Sequence, residues 1–134
     1  MAKISEIEGI GPTYAEKLAG AGIETVEALL EEGAKPAGRE RIADASGVPE
    51  KALLRWVNMA DLFRIRGVGE EYADLLERAG VDTVVELSRR NAENLHEKMK
   101  SVNEEASLVR ALPSAATVEK WVAQAKELPR GVFF

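Results

Sequence analysis

The tripeptide Gly9-Ile10-Gly11 returns as Gly67-Val68-Gly69, and the residues downstream of it return as well. Tyr14, Ala15, Leu18, Ala21, Gly22 and Ile23 recur as Tyr72, Ala73, Leu76, Ala79, Gly80 and Val81, each 58 residues later. The register continues through Thr25 and Thr83, Val26 and Val84, Leu29 and Leu87. A match held over that length marks one structural unit used twice. Glycines flanking one apolar residue allow the chain to reverse within a few residues. The Tyr-Ala-x-x-Leu spacing after the turn is one stripe of a helix. The composition suits closely packed helices, with 46% hydrophobic but only 5% aromatic residues, and the expected class is all-α.

From its N-terminus the chain begins with a short helix over residues 3–8, reversed by Gly9-Ile10-Gly11. Pro12 stands where a helix should start, because its fixed φ and missing N–H are tolerated at the first helical position. Gly22 caps that helix, Thr25 opens the next and Gly33 ends it. A weaker helix covers residues 36–46, closed by Gly47, and Pro49 starts the strongest helix of the first half, a widely apolar one containing Trp56. The second copy repeats the plan over residues 70–79 and 84–89, with Gly80 as cap, Thr83 as N-cap and Asn91 opening a further helix. Trp121 lies 65 residues after Trp56 rather than 58, so the second copy carries an insertion, expected as a short helix over 104–112. Ser114 or Thr117 caps a last helix, and Pro129 stops it. The expected organisation is a first repeat at 1–58, a second at 59–129 and an apolar tail at 130–134, forming one compact pseudo-twofold domain.

Both repeats resemble the helix-hairpin-helix family, whose core is an apolar residue, Gly-apolar-Gly, three residues, Ala, two residues, Leu. Ile7 to Leu18 and Ile65 to Leu76 both fit it. The extensions Ala-Gly-Ile-Glu-Thr-Val and Ala-Gly-Val-Asp-Thr-Val look like those of helicase-subunit, ligase and RNA-polymerase α C-terminal domains. Over nearly its full length the chain also resembles an uncharacterised prokaryotic family of tandem helix-hairpin-helix proteins. The first resemblance implies that backbone N–H groups at a helix N-terminus can hold a phosphate oxygen, a contact independent of base sequence. It implies for the second hairpin a phosphate site of Gly67, Val68 and Gly69 with Arg64, Arg66, Arg89 and Arg90. Gly9, Ile10, Gly11, Gly22 and Gly80 are then structural.

Charge argues against nucleic acid as the first choice. The chain has 18 Lys and Arg against 23 Asp and Glu, a net charge of -5, so no global attraction toward phosphate is expected. Family members that bind DNA commonly carry Lys or Arg two positions beyond the second glycine. Here Thr13 and Glu71 stand there, and Glu70 adds another carboxylate to the same first turn.

No cysteine is present and His96 is the only histidine, so a thiolate or multi-histidine metal site is not expected and no cofactor is indicated. Adjacent carboxylates such as Glu70-Glu71 diverge on a helix and make poor general acid and base partners. No run has the length of a signal peptide core or a membrane span, and a cytoplasmic protein without small-molecule substrate or membrane partner is expected. Val132, Phe133 and Phe134 hold two of the three phenylalanines on a tail. Either the tail folds back over a groove or it anchors a partner. The sequence therefore favours a non-catalytic binding module, a protein-interaction or assembly adaptor that binds another protein or itself. The alternative is sequence-independent binding of a nucleic-acid backbone through the second hairpin.

Overall fold

Pro12 opens the first α-helix, α1 (Pro12–Gly20), in the computed structural model, which describes residues 2–134. It is followed by α2 (Val26–Gly33), α3 (Pro36–Ser46), α4 (Glu50–Leu62), α5 (Glu70–Arg78), α6 (Val84–Ser88), α7 (Ala92–Ala106) and α8 (Ala115–Glu127). A single 3-10 turn, Ile4–Glu6, stands where the sequence suggests a longer first helix. There Glu6 accepts the Lys3 N–H at 2.7 Å, while Ile4 N–H and Val26 N–H bond to Glu24 O and Ala2 O. The last two bonds pair Lys3 with Thr25 in an isolated antiparallel bridge, and Ile7, extended at φ -82° and ψ 129°, ends the turn. The described residues contain no β-strand, and the all-α expectation holds.

The chain divides into two compact units, residues 1–61 together with 131–134, and residues 62–130. In unit 1, α2 lies against α3, α1 against α3, and the 3-10 turn against α1 and α2. Gly33 lets α2 approach α4 closely, since a Cβ there would stand 2.6 Å from Val57 Cγ2. In unit 2, α8 packs on α6 and α7, and α7 on α5. Leu76, Leu87, Leu95, Met99 and Val118 are fully buried there, and Leu18, Leu29, Leu53 and Val57 in unit 1. Burying one such side chain is worth about 1.5–3 kcal/mol.

The residues linked by the 58-residue offset form the same backbone in each unit. Ile7 N–H donates to Ile4 O and Ile10 N–H to Ile7 O, and Ile65 to Leu62 O and Val68 to Ile65 O do likewise. Ala15 N–H bonds Gly11 O and Ile23 N–H bonds Leu18 O, mirrored by Ala73 to Gly69 O and Val81 to Leu76 O. Thr25 and Thr83 cap α2 and α6 by accepting from Ala28 N–H at 3.0 Å and Glu86 N–H at 3.3 Å. Equal local sequence has produced equal local hydrogen bonding.

The insertion differs from expectation. In place of a short helix over 104–112, α7 runs on to Ala106 and ends at Ser107, whose φ of 50° is left-handed. The loop beyond is held by Asn103, which donates to Val109 O at 3.2 Å and accepts from Val109 N–H at 3.0 Å. One amide satisfying both backbone groups of Val109 replaces the helical partners they would have had. Ser114 then caps α8 by accepting from Thr117 N–H.

Candidate functional site

The two glycines of each Gly-x-Gly turn do different work. Gly9 and Gly67 both sit at φ +95°, a conformation that L side chains rarely adopt. A Cβ on either would also stand 3.2 Å from an indole nitrogen, that of Trp56 for Gly9 and of Trp121 for Gly67. Each tryptophan is buried, at 3% and 2% exposure, with a tyrosine tilted against it: Tyr14 to Trp56 at 5.1 Å and Tyr72 to Trp121 at 5.3 Å between ring centroids. The first glycine, the tyrosine and the tryptophan thus form one interlocked group in each unit. Gly11 and Gly69 are different. They are the N-caps of α1 and α5 with φ -83° and -106°, open to ordinary residues, and a Cβ on either would meet nothing within 4 Å.

Around the second turn the apolar middle residue Val68 is buried, as is Ile10 in the first. The flanking backbone is pinned by α8, where Gln124 accepts the Arg66 N–H at 2.9 Å and donates to Arg66 O at 3.3 Å. The exposed Arg66 side chain borders a surface depression with Lys120, Ala123, Gln124 and Glu127. The other arginines serve elsewhere. Arg64 donates to Pro129 O at 2.6 Å, just beyond the end of α8. Arg90 donates to Gly80 O at 3.3 Å, approaches Ala79 O at 3.5 Å beyond the end of α5, and lies 3.9 Å from Glu86. Arg78 lies 3.5 Å from Asp74. Cations at helix C-termini neutralise the carbonyl end of the dipole, and Arg90 is engaged in that way at the end of α5. Arg89 is exposed, its N–H bonded to Glu86 O. Glu70 and Glu71 occupy the first turn of α5, where their charge suits the positive end of the same helix. Gly22 at φ +86° and Gly80 at +95° follow α1 and α5 and accept the left-handed turn that ends them.

The tail belongs to unit 1. Val132 is buried at 1% exposure, while Phe133 and Phe134 are 41% and 69% exposed. Phe133 N–H donates to Ala34 O at 2.7 Å, and Arg39 donates to Phe133 O at 2.7 Å. The other Arg39 nitrogen donates to Gly33 O at 2.9 Å and Ala34 O at 3.1 Å. Arg39, on α3, therefore ties the end of α2 to the tail with one guanidinium. It is 7% exposed, and burial draws its pKa below the usual arginine value while the charge of Glu50 pushes it back up. Nothing in the weak amphipathicity of residues 36–46 announces this role. Lys120 carries a clearer signal, since it precedes Trp121 as Arg55 precedes Trp56, and the Arg55 guanidinium lies 3.1 Å from the Cβ position of Gly9.

Among the described residues no cluster of three or more His, Asp or Glu could hold a metal, and no helix is long and apolar enough to cross a membrane. His96 Nε2 lies 2.9 Å from Pro113 O, a contact that steadies the loop before α8.

Eight helices among the described residues, with one turn geometry used in each of two units, define an all-α protein. The chain belongs to the family described as Domain of unknown function (DUF4332), which matches residues 8–128. No solved structure matches it.

Proposed function

We propose that the chain is a non-catalytic interaction module whose docking element is its clamped tail. One observation carries this reading: the tail is anchored by its backbone and by the small Val132, while the large rings of Phe133 and Phe134 are left at the surface. A tail that served only to cover apolar surface would gain most by turning its aromatics inward, each worth about 1.5–3 kcal/mol. Leaving two adjacent rings outside, on a backbone already ordered, lowers the entropy lost when a partner takes them up. Aromatic side chains of this kind dominate protein interfaces.

The test is a quantitative pull-down with the full chain and with a Phe133→Ser/Phe134→Ser variant. Retention of a partner should drop at least about tenfold with the rings replaced, with the melting temperature unchanged. Equal retention of every bound protein by both forms would refute the reading.

A second reading rests on Gly69 and Gly11. Neither conformation nor crowding within the protein requires glycine there, and a bare helix N-cap admits close approach of an anion. If the Gly-x-Gly turns are helix-hairpin-helix hairpins, the first turn of α5 would present N–H groups to a nucleic-acid phosphate, with the exposed Arg66 just ahead of the turn, although the Val68 N–H is taken by Ile65 O. Anisotropy of labelled duplex DNA at low and physiological salt tests it. Arg66→Ala should weaken binding and flatten its salt dependence, and absence of binding at low salt would remove this alternative.

A further inference from the structure

The cleft that receives the tail recognises little that is particular to the chain entering it. It grips the tail by its backbone: Ala34 O takes the Phe133 N–H and Arg39 gives to Phe133 O. Its one fully buried tail side chain is Val132. Recognition by main-chain bonds plus one apolar side chain is how proteins accept peptide segments from other chains.

The route by which the tail arrives is equally suggestive. Helix α8 belongs to unit 2 and the tail to unit 1, and the division falls between Arg130 and Gly131. Arg64 holds Pro129 O on the unit 2 side of that division. A tail that swung away at this junction would find the same Ala34 and Arg39 partners on an identical chain. Exchange of an identical segment is a low-cost route to a dimer for that reason.

Building on the docking role proposed for the tail, we infer that the Ala34 and Arg39 cleft of unit 1 is also a docking site for the Gly131–Phe134 segment of a second copy of the chain, so that two chains associate by exchanging tails. The exposed Phe133 and Phe134 rings supply apolar area for the second chain to cover. Each copy carries a net charge of -5, so added salt screens their repulsion and strengthens the pair, opposite to its effect on nucleic-acid binding.

Complementation tests the exchange. Arg39→Met spoils the cleft but leaves the tail intact, and Val132→Asp spoils the tail but leaves the cleft intact. Sedimentation velocity should show the wild-type chain dimerising with concentration and each variant weakened at least about tenfold. Mixing the two should form a heterodimer, detected by native mass spectrometry, because the sound tail of one meets the sound cleft of the other. A mixture that stays monomeric, with both variants helical by circular dichroism, overturns the inference. Should a variant fail to fold, the wild-type chain decides: 15N-labelled and unlabelled protein mixed at up to about 1 mM must form mixed dimers, and a monomer throughout overturns it. Dimers that persist in the Phe133→Ser/Phe134→Ser variant would support exchange while counting against the role assigned to the rings. Ring-dependent capture of another protein, with no complementation, would overturn exchange alone.

Discussion

Replacing Gly67 by alanine should destabilise unit 2, while the same change at Gly69, two residues on, should be nearly silent. At Gly67 the φ of +95° puts an L residue in a sparsely populated region, at about 1–3 kcal/mol. The new Cβ would stand 3.2 Å from the Trp121 indole nitrogen, so the ring must also give way in a site where it is 2% exposed and braced by Tyr72. Against this, alanine restricts the unfolded chain and returns about 0.4–1 kcal/mol. The net expectation is a loss of roughly 1–3 kcal/mol, which in a chain of this size lowers the melting temperature by about 3–10 °C. At Gly69, φ is -106° and a Cβ meets nothing within 4 Å. There the weaker capping by alanine, about 0.5–1 kcal/mol, is offset by the same restriction of the unfolded chain, leaving a change within about 0.5 kcal/mol. Urea unfolding followed by tryptophan fluorescence and by circular dichroism measures both. Equal losses at the two positions would refute the division of labour between the glycines.

Further expectations concern other contacts. Arg39→Met removes the donors to Gly33 O, Ala34 O and Phe133 O, and should cost about 2–4 kcal/mol, with the Phe133 amide losing protection from hydrogen exchange. Thr25→Ala and Thr83→Ala should each cost about 1 kcal/mol, and because they cap helices in different units their effects should add in a double variant. Asn103→Ala frees both backbone groups of Val109. It should cost about 1–3 kcal/mol and speed exchange at the Val109 amide without unfolding α7.

Much of the local architecture is legible in the sequence because it depends on residues close along the chain. Pro12, Thr25, Gly47, Thr83, Asn91 and Ser114 mark helix ends through their own backbone chemistry, and the helices begin or end beside them. The insertion departs from its sequence pattern through contacts of equally short range. The charged run around Glu104 looks helical, but Asn103 reaches six residues ahead to Val109, and Ser107 adopts a left-handed turn that composition does not signal. Arginine roles are least legible. Arg64, Arg66 and Arg90 read alike as cations near a glycine turn, yet Arg64 and Arg90 find carbonyls beyond helix ends and Arg66 stays at the surface. Which carbonyl a long side chain reaches is set by tertiary packing. Arg39 shows this most strongly, since its partner Phe133 is 94 residues away.

That separation has a consequence for synthesis. Unit 1 needs residues 131–134 to be complete, and at about 5–20 residues per second the ribosome takes roughly 4–14 seconds to travel from Asp61 to Gly131. During that interval the N-terminal helices can form, but the place of Val132 stands vacant and the Arg39 guanidinium lacks one of its three carbonyls. The nascent chain must carry an unfinished apolar notch past every chaperone and neighbouring polysome it meets. A chain truncated before Val132 would keep that notch open for the lifetime of the protein.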